Sequence, residues 1–385
     1  MRILHVSGAY VPSARASSVA VMKMCEAIAR EGHEVIALAK APEGFESEDP
    51  FEFYGVARSF ELVRLARPQV RGGSAVLLAR QLRELIRRRG RLDLVYSRDV
   101  VAAAAAARFG LEVLYEAHEP PSTRLGALAF EALIRSPRLV RLVTLTRALA
   151  NELERRSSLF WDDSTRGARR ETLIAPSAAD PIPSEVVPAP LRSPGRPLVG
   201  YVGSLYSGKG VEVVLEAARQ LPQVDFVIVG GRPHEVDELR PRVGRNVRLV
   251  GFVSHKELAS YYQALDVALL PNRGEFVATP GGRVDISRWT SPLKMLEYMG
   301  SRAAIVASDL PVLREVLVHE TTALLVGPSA SEWVRAIERL LADPSLAARL
   351  SAEARRQLVE LYTYEARARH VLQGLPQRAP GFAKT

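Results

Sequence analysis

Short apolar segments alternate with helical segments through the first half of the chain, and this alternation restricts the fold more than any other feature. The pattern predicts strands at Ile3–Val6, Glu34–Ala39, Leu92–Tyr96, Leu111–Glu116 and Val140–Leu145, with helices at Ala20–Arg30, at Val101–Arg108 and through Leu153. Near-continuous apolar strands with helices between them indicate a parallel sheet that helices cover on both faces. We therefore expect an α/β fold built on a doubly wound parallel sheet.

A second series of the same kind begins at Leu198. It predicts strands at Leu198–Val202, Phe226–Gly231, Val247–Val250, Val267–Leu270, Ala303–Ala307 and Ala323–Val326, with helices at Val211–Gln220, Lys256–Ala264, Leu293–Met299, Pro311–Val318, Ala330–Leu341 and Leu346–Tyr362. In open α/β sheets, ligands bind at the carboxyl ends of the strands, so two such domains can hold one ligand between them. We expect two Rossmann-like domains that face each other across a cleft.

Proline is concentrated between the two series. Three proline-rich stretches, which begin at Pro181, Pro188 and Pro194, fall within 17 residues. Proline at this density resists both helix and sheet. We therefore predict an N-terminal domain at residues 1–185, a linker at 186–197, a C-terminal domain at 198–365 and a C-terminal segment at 366–385.

The charge balance favours acidic partners. The formal net charge is +9, and ten arginines against two glutamates lie between Arg58 and Arg91. Neither interleaved aromatic residues nor a nucleic-acid-binding signature accompanies this excess, so nucleic acid is not an expected partner. Two interpretations of the arginine run stay open, a solvated helix face and a contact with an acidic surface.

The cysteine content and the hydropathy of the sequence suit a cytoplasmic protein. The single cysteine, Cys25, lies in an apolar helical stretch and is interpreted as a small buried hydrophobic residue. No Cys/His spacing typical of a metal site occurs, so no metal is expected. No apolar run reaches the roughly 20 residues needed to cross a bilayer, and the chain starts in a strand pattern rather than a signal peptide.

A glycine-bearing loop connects a strand to a helix at residues 201–210. Gly203, Ser204 and Lys209 lie in this loop. Glycines allow the backbone to approach a phosphate, the helix start supplies free N–H groups, and the lysine adds a positive charge. The spacing is neither that of a P-loop nor Gly-x-Gly-x-x-Gly. A phosphate site and a plain turn with a surface lysine are both compatible with it.

Ser291–Gly300 is a second candidate anion site. Ser291 suits a helix cap and Pro292 suits the first helical turn, so the N–H groups of Leu293 and Lys294 would be available to an anion. Glu297 follows about one turn later, where a carboxylate can accept hydrogen bonds from a diol such as ribose. The alternative is an ordinary capped helix with Lys294 and Glu297 in solvent.

His118 is a third candidate, at the end of the strand Leu111–Glu116. A histidine at the carboxyl end of a strand lies at the mouth of the expected cleft, where it can serve a ligand, although a structural histidine gives the same pattern.

In this order, these three features resemble glycosyltransferase family 4, whose members have the GT-B fold. The resemblance covers approximately Met1 to Leu372. Further matches lie at Ala27–Val35 (a first βα unit), at Leu94–Arg98 and Tyr115–Glu119 (acceptor-domain motifs), at Asp266–Pro271 (the strand before the donor loop, Asn272 to Trp289) and at Ala307–Pro311 (a following turn).

The resemblance implies a retaining glycosyltransferase without an essential metal or cofactor. Its donor would be a nucleoside diphosphate sugar (a UDP- or GDP-sugar), and its acceptor would be a glycan, a lipid-linked molecule or a small molecule with a free hydroxyl. The implied catalytic residues are His118, Lys209 and Glu297.

Each implied site residue has a role. Lys209 would bind the donor diphosphate and Glu297 the ribose, while His118 would line the sugar subsite. Gly8 would lie where donor and acceptor meet. Gly203, Ser204 and Ser291 would belong to the donor site, and Leu293 and Lys294 would offer N–H groups to the phosphates.

The sequence departs from the family pattern in three places. Ser204 stands where the family often has arginine, Trp289 stands eight positions before Glu297 in place of a first glutamate, and Ser177-Ala178 replaces Asn-Gly. Two other functions therefore remain as alternatives. One is a nucleotide-sugar epimerase of the same fold, and the other is a binding protein that has lost catalysis.

An amphipathic basic helix is predicted at Val76 to Arg89. Arg80, Arg83 and Arg87 share one face, and leucines occupy other positions in the segment. If the acceptor is lipid-linked, this face would contact an anionic membrane at its cytoplasmic side. A solvated basic face over a leucine core is the alternative.

Overall fold

The computed structural model describes residues 1–42, 48–65, 74–89, 92–156, 171–206, 208–273 and 288–375, and in 74–79, 89 and 171 the backbone alone. The chain forms two compact units. The first contains Met1–Pro176 and the chain from Tyr364 onward, and the second is Ser177–Thr363.

The first unit is a parallel sheet with helices in the connections. Its strands are β1 (Arg2–Tyr10), β2 (Glu34–Lys40), β3 (Glu61–Leu65), β4 (Leu94–Ser97), β5 (Val113–Ala117), β6 (Leu139–Thr144) and β7 (Glu171–Ile174). Its helices are α1 (Ala16–Arg30), α2 (Pro50–Tyr54), α3 (Ser74–Arg89), α4 (Val100–Arg108), α5 (Arg124–Arg135) and α6 (Arg147–Arg156), with α14 (Tyr364–Leu372) from the end of the chain. The strands lie in the order β3-β2-β1-β4-β5-β6-β7.

The second unit repeats this architecture. Its strands are β8 (Leu198–Val202), β9 (Asp225–Val229), β10 (Val247–Gly251), β11 (Val267–Leu270), β12 (Ala304–Ser308) and β13 (Leu324–Val326). Its helices are α7 (Val211–Gln220), α8 (Pro233–Leu239), α9 (Leu258–Ala264), α10 (Leu293–Gly300), α11 (Pro311–Arg314), α12 (Ala330–Ala342) and α13 (Pro344–Gln357). Short 3₁₀ turns at Arg240–Arg242 and His255–Glu257 and a π-helical turn at Leu358–Tyr362 complete it.

The sheet of the second unit is parallel, with the order β10-β9-β8-β11-β12-β13. Both units therefore have the doubly wound order in which the chain reverses direction beside the first strand. The prediction of two parallel-sheet α/β units is confirmed. The reversal points lie between β1 and β4 and between β8 and β11, and ligands bind beside such points in this class of sheet.

Burial explains why these segments form strands. Central strands of both sheets are closed to solvent, since every residue of β4, β5 and β8 is buried. In the second unit Trp333 of α12 is 1% exposed and packs in one cluster with Phe226, Leu269 and Ile337. Burial of large apolar side chains contributes roughly 1.5–3 kcal/mol each, so this cluster anchors α12 to the sheet.

Several elements differ from the sequence predictions. The helix predicted at Pro311–Val318 ends at Arg314, and the long helix predicted to reach Tyr362 is α-helical only to Gln357. The predictions did not include β3, β7, α2, α5, α8 or α14. Most of these elements are too short for a clear apolar period, but α5 has twelve residues and buries Phe130 and Leu133 on one face, so the prediction missed a readable helix there.

The division between the units lies at Pro176–Ser177, ahead of the proline-rich segment 186–197. That segment belongs to the second unit, where Ala189 N–H donates to Ser260 O at 2.9 Å and Arg196 pairs with Asp225 at 2.5 Å. Proline prevents regular secondary structure but does not prevent an extended segment from packing on a surface. The predicted boundary at residues 365/366 falls inside helix α14, which belongs to the first unit.

Cys25 is fully buried in α1, as predicted, and burial raises the pKa of its thiol. In α3, Leu82 is buried whereas Arg80, Arg83, Arg87 and Arg88 are exposed, so the predicted amphipathic basic helix is confirmed for the side chains that the structure describes. Among the described helices, none has the length and apolar character needed to span a bilayer.

Candidate functional site

The predicted site residues fall into both units. Gly8 and His118 lie in the first unit, whereas Gly203, Ser204, Lys209, Ser291, Leu293, Lys294 and Glu297 lie in the second. Ser207 and residues 274–287, which include most of the predicted donor loop, lie outside the described residues.

In the second unit, the glycine loop follows β8 at the reversal point of the sheet. Gly203 N–H donates to Val229 O at 2.8 Å, which holds the loop against the end of β9. Gly230 packs so closely on it that a Cβ at position 230 would lie 2.1 Å from Gly203 O. The residues that follow β8 and β9 therefore contact each other through backbone atoms, without side chains between them.

The other end of the loop is equally tight. Gly210 has a φ of +74° and is the N-cap of α7. A Cβ there would lie 1.7 Å from Pro271 O, the residue that follows β11. Only glycine fits this contact, and it brings the start of α7 to the carboxyl end of β11.

Lys209 lies between Gly208 and Gly210 and is partly buried. Its ammonium group lies 4.9 Å from the centroid of the Tyr206 ring. Burial lowers the pKa of Lys209 to about 8. Within the described residues no carboxylate forms an ion pair with it, so the group is a desolvated cation next to a helix start.

Lys294 is a second cation at this site. Its Nζ donates to Tyr201 Oη at 3.0 Å and lies 4.2 Å from the centroid of that ring. Burial, and then the positive charge of Lys209, place the pKa of Lys294 well below its usual range, against the opposing effect of Glu297. The described part of the chain supplies no carboxylate within ion-pairing distance of its ammonium group.

Two tyrosines hold α10 against the glycine loop. Tyr298 Oη accepts from Val202 N–H at 2.8 Å. Tyr201 Oη, besides accepting from Lys294, donates to Ser204 O at 2.6 Å. The side chain of Ser204 is exposed, so its described contribution is this carbonyl.

The start of α10 corrects one prediction. Ser291 is not a helix cap, because its Oγ accepts from Ser177 N–H at 3.0 Å and its carbonyl accepts from Ser177 Oγ at 2.8 Å. Pro292 is the N-cap residue and precedes the helix, which begins at Leu293. As the first helical residues, Leu293 and Lys294 have no intrahelical acceptor for their N–H groups, so the predicted donors are at the helix start.

Glu297 is held in place by residues that sequence reasoning did not identify. Its Oε2 accepts from Tyr262 Oη at 2.6 Å, and its Oε1 lies 3.7 Å from Nδ1 of His255. Burial, with the nearby charge of Glu297, raises the pKa of Tyr262 well above its ordinary value. Tyr262 comes from α9, and only the aromatic pair Tyr261-Tyr262 in a helical segment could have drawn attention to it.

Trp289, the residue in place of the family's first glutamate, is buried with 8% exposure. An indole therefore occupies the position before α10 at which a carboxylate was expected.

In the first unit, Gly8 lies within β1, beside the reversal point of the sheet. A Cβ at position 8 would have Lys40 Nζ at 3.7 Å and Asp99 Oδ2 at 3.9 Å, which are ordinary contacts. Asp99 also caps α4 through its side chain. Gly8 therefore lies beside two charged groups, one at the carboxyl end of β2 and one after the carboxyl end of β4.

His118 directly follows β5 and is linked to two charged residues. Its Nε2 lies 2.6 Å from Glu116 Oε1, and its Nδ1 lies 3.0 Å from Arg98 Nη2. Burial, and then the charge of Arg98, lower the pKa of His118 to about 4, although Glu116 opposes the shift. The ring nitrogens of His118 are thus both occupied by neighbours of the same unit.

Glu116 lies between two arginines. Its Oε1 is 3.8 Å from Arg98 Nε, and its Oε2 accepts from Arg367 Nη1 at 3.0 Å and from Tyr96 Oη. Burial alone would raise the pKa of Glu116, but Arg367, His118 and Arg98 together bring it well below its usual range. Arg98, the last residue of the Leu94–Arg98 motif, therefore forms an ion pair with Glu116.

Within the described residues, no group of three or more His, Cys, Asp or Glu side chains is arranged to hold a metal ion.

Two family models match the chain. One, described as "Glycosyltransferase Family 4", matches residues 17–159, and the other, "Glycosyl transferases group 1", matches residues 196–343. The matches fall in the two units respectively, and together they span most of the chain.

Similar proteins agree with these matches. Alpha-D-kanosaminyltransferase of Streptomyces kanamyceticus is 32% identical over 169 residues, which are 41% of this chain and 40% of that protein. The chain thus aligns with less than half the length of this curated relative.

Solved structures show the same fold. Sucrose-phosphate synthase from Thermosynechococcus elongatus has a TM-score of 0.70 at 18% identity, covering 96% of each chain. HepE of Anabaena, solved in complex with UDP, has a TM-score of 0.68 at 16% identity, covering 96% of this chain and 98% of its own. Two parallel α/β units, two family models and these neighbours lead to one conclusion: the chain belongs to glycosyltransferase family 4 and has the GT-B fold.

Proposed function

We propose that the protein transfers a sugar from a nucleoside diphosphate sugar to an acceptor hydroxyl, with retention of configuration and without a metal ion. The observation that carries the proposal is the pair Lys209 and Lys294. Two desolvated ammonium groups lie close enough for one to lower the pKa of the other, and no described carboxylate pairs with either. Such a pair is unfavourable by itself and becomes favourable when an anion binds.

A diphosphate suits this pair better than a carboxylate does. Its oxygens can accept from both lysines and from the free N–H groups at the start of α10. During transfer, negative charge develops on the leaving diphosphate, and fixed cations stabilise that charge. The lysines would thus perform the electrostatic work that a divalent cation performs elsewhere.

The remaining roles follow the family. Glu297 binds the ribose through Oε1, because Oε2 accepts from Tyr262. Gly203 and Ser204 shape the glycine loop, and Ser291 supports the start of α10. Gly8 and His118 serve the sugar and acceptor from the first unit. The UDP bound in HepE supports a uridine diphosphate sugar as the donor.

A panel of nucleoside diphosphates and their sugars tests the proposal. Calorimetric titration with UDP, GDP and ADP should show binding of at least one of them, and thermal unfolding should shift upward in its presence. The matching sugar donor, incubated with glycan and lipid-linked acceptors, should release the diphosphate. NMR of the product then shows whether the anomeric configuration is retained.

The same panel separates two other functions. An epimerase forms an isomeric nucleotide sugar without an acceptor, and a catalytically inactive binding protein shows affinity alone. Epimerisation requires groups that exchange protons on both faces of one carbon. His118 is poorly suited to this chemistry because both of its ring nitrogens are hydrogen-bonded within the unit. Absence of binding to every nucleoside diphosphate would overturn the proposal.

A further inference from the structure

Five side chains around β4 and β5 form what we call the Glu116 network. Its members are Tyr96, Arg98, Glu116, His118 and Arg367. They come from three parts of the sequence, since Tyr96 and Arg98 lie in or after β4, Glu116 and His118 lie in or after β5, and Arg367 lies in α14. All of them belong to the first unit.

The hydrogen bonds of His118 admit a single arrangement of protons. Arg98 Nη2 can only donate, so Nδ1 of His118, 3.0 Å away, must accept and carry no proton. Nε2 lies 2.6 Å from the carboxylate of Glu116, so it carries the proton and donates it. A proton added at Nδ1 would set an N–H group against the N–H group of Arg98.

Arg367 fixes the carboxylate that receives this bond. Its Nη1 donates to Glu116 Oε2 at 3.0 Å, and its Nε and Nη2 donate to the carbonyls of Pro176 at 2.7 Å and Ala175 at 3.1 Å. Arg367 is 6% exposed, and its guanidinium is bound to the backbone on one side and to Glu116 on the other. Glu116 cannot turn away from His118 without breaking this bond.

We propose that Arg98 and Arg367 are positioning residues which, acting with Glu116, keep His118 as a neutral imidazole protonated on Nε2. The imidazole ring then has a fixed orientation and exchanges no protons during the reaction. The importance of this neutral imidazole for catalysis rests on the proposed function, since His118 lines a sugar subsite only if the protein is a transferase. The protonation state itself is a property of the folded chain and can be measured without any substrate.

The charges around the ring favour the neutral form. Two arginines face one carboxylate, so the network has an excess of one positive charge before His118 titrates. Other titratable groups close to the network include His5 of β1, Cys25 of α1 and Tyr364 of α14, and burial lowers the pKa of His5 to about 3. Burial also raises the pKa of the Cys25 thiol, so neither His5 nor Cys25 adds a charge near neutral pH. The side chain of Glu119, which follows His118 in the sequence, is exposed.

Histidine-selective ¹⁵N labelling of the full chain tests the proposal. The chain has seven histidines, and loss of one signal in His118→Gln assigns His118. Long-range ¹H–¹⁵N spectra distinguish the two neutral tautomers from the charged ring. We expect His118 to show the neutral Nε2–H tautomer throughout pH 5–9.

Arg98→Gln and Arg367→Gln each remove one positive charge from the network. Both should raise the pKa of His118 by about one unit or more, with the larger effect for Arg98, which contacts the ring. Arg367→Lys keeps the positive charge, so the pKa of His118 should stay close to its lowered wild-type value. Arg141→Gln is the matched control, because Arg141 is equally buried and also binds α14, through Val371 O at 2.8 Å.

A group that only supports the fold would not move this titration. If the donor is identified, Arg98→Gln should also add an ionisation on the acid side of the kcat/KM profile, whereas Arg141→Gln should not. The inference is overturned if wild-type His118 titrates between pH 5.5 and 8, or shows the Nδ1–H tautomer, or if Arg98→Gln leaves its pKa unchanged. If Arg367→Gln does not fold, the wild-type and Arg98→Gln measurements decide alone.

Discussion

Lys294 places its ammonium group over the ring of Tyr201, 4.2 Å from the ring centroid, and donates to that tyrosine's hydroxyl oxygen at 3.0 Å. The pair connects the first turn of α10 to β8. Because Tyr201 Oη also donates to Ser204 O, one tyrosine fixes the cation and the glycine loop together. The Lys294 side of the proposed phosphate site is therefore preorganised by a hydrogen bond, whereas Lys209 has its described contact with the ring of Tyr206.

Lys209→Ala should weaken the binding of the nucleoside diphosphate by about 1.5–3 kcal/mol, the usual range for a hydrogen bond to a charged group. Isothermal titration calorimetry measures the change. Lys256→Ala is the matched control, because Lys256 is an exposed lysine of the same unit and its loss should leave the affinity unchanged. Equal affinities for wild type and Lys209→Ala would move the phosphate site elsewhere.

The affinity for the diphosphate should fall as pH rises through about 8. The pKa of Lys209 is lowered to about 8 by burial, and a bound anion raises it, so the complex holds more protons than the free protein above that pH. Binding therefore takes up protons, and its strength is greatest below pH 8. Titrations at pH 7, 8 and 9, in buffers of different ionisation enthalpy, measure both effects. An affinity independent of pH in this range would count against Lys209 as a ligand.

Glu297→Gln should lower donor affinity while the fold stays intact. The amide keeps the size of the carboxylate and can still accept from Tyr262, but it loses the charge that a ribose diol binds. Tyr262→Phe should have a smaller effect in the same direction, because it removes only the group that orients Glu297. Circular dichroism and thermal unfolding check the fold. Full activity and affinity in Glu297→Gln would show that the carboxylate has a structural role.

Gly210→Ala should destabilise the second unit more than Gly195→Ala does. The two glycines have similar φ values, +74° and +70°, so the conformational cost of a side chain is alike. A Cβ meets open space at Gly195 but lies 1.7 Å from Pro271 O at Gly210. The clash should cost about 1–3 kcal/mol beyond the control, as overpacking usually does. Urea unfolding midpoints compare the two, and equal midpoints would contradict the packing described.

The basic face of α3 should bind anionic liposomes if the acceptor is lipid-linked. Arg83, Arg87 and Arg88 are exposed, and each arginine near an anionic surface contributes about 1 kcal/mol. Changing all three to glutamine should abolish co-sedimentation with anionic liposomes at low salt. Changing Arg240, Arg242 and Arg245, which are exposed in the second unit, removes the same charge and serves as the control. No sedimentation of the wild type at low salt would indicate a solvated face.

The sequence alone was sufficient for the two parallel α/β units, because buried strands and amphipathic helices leave a periodic apolar pattern that can be read locally. It also indicated where the anion site should form, since glycine, lysine and a helix start lie close together along the chain at residues 203–210 and 291–297. It overlooked α14, whose short span carries a buried arginine where apolar residues would have marked a core helix.

Only the tertiary structure decided which groups pair. Arg367 meets Glu116 across 251 residues, Lys294 meets Tyr201 across 93, and Ser291 binds Ser177 across 114 instead of capping its own helix. Such contacts depend on how strands and helices pack, and a local pattern contains no information about the partner. The charge state of a lysine or histidine depends on the same packing, because burial and neighbouring charges set its pKa. For that reason His118 could be located from the sequence, whereas its neutral, doubly hydrogen-bonded state could not.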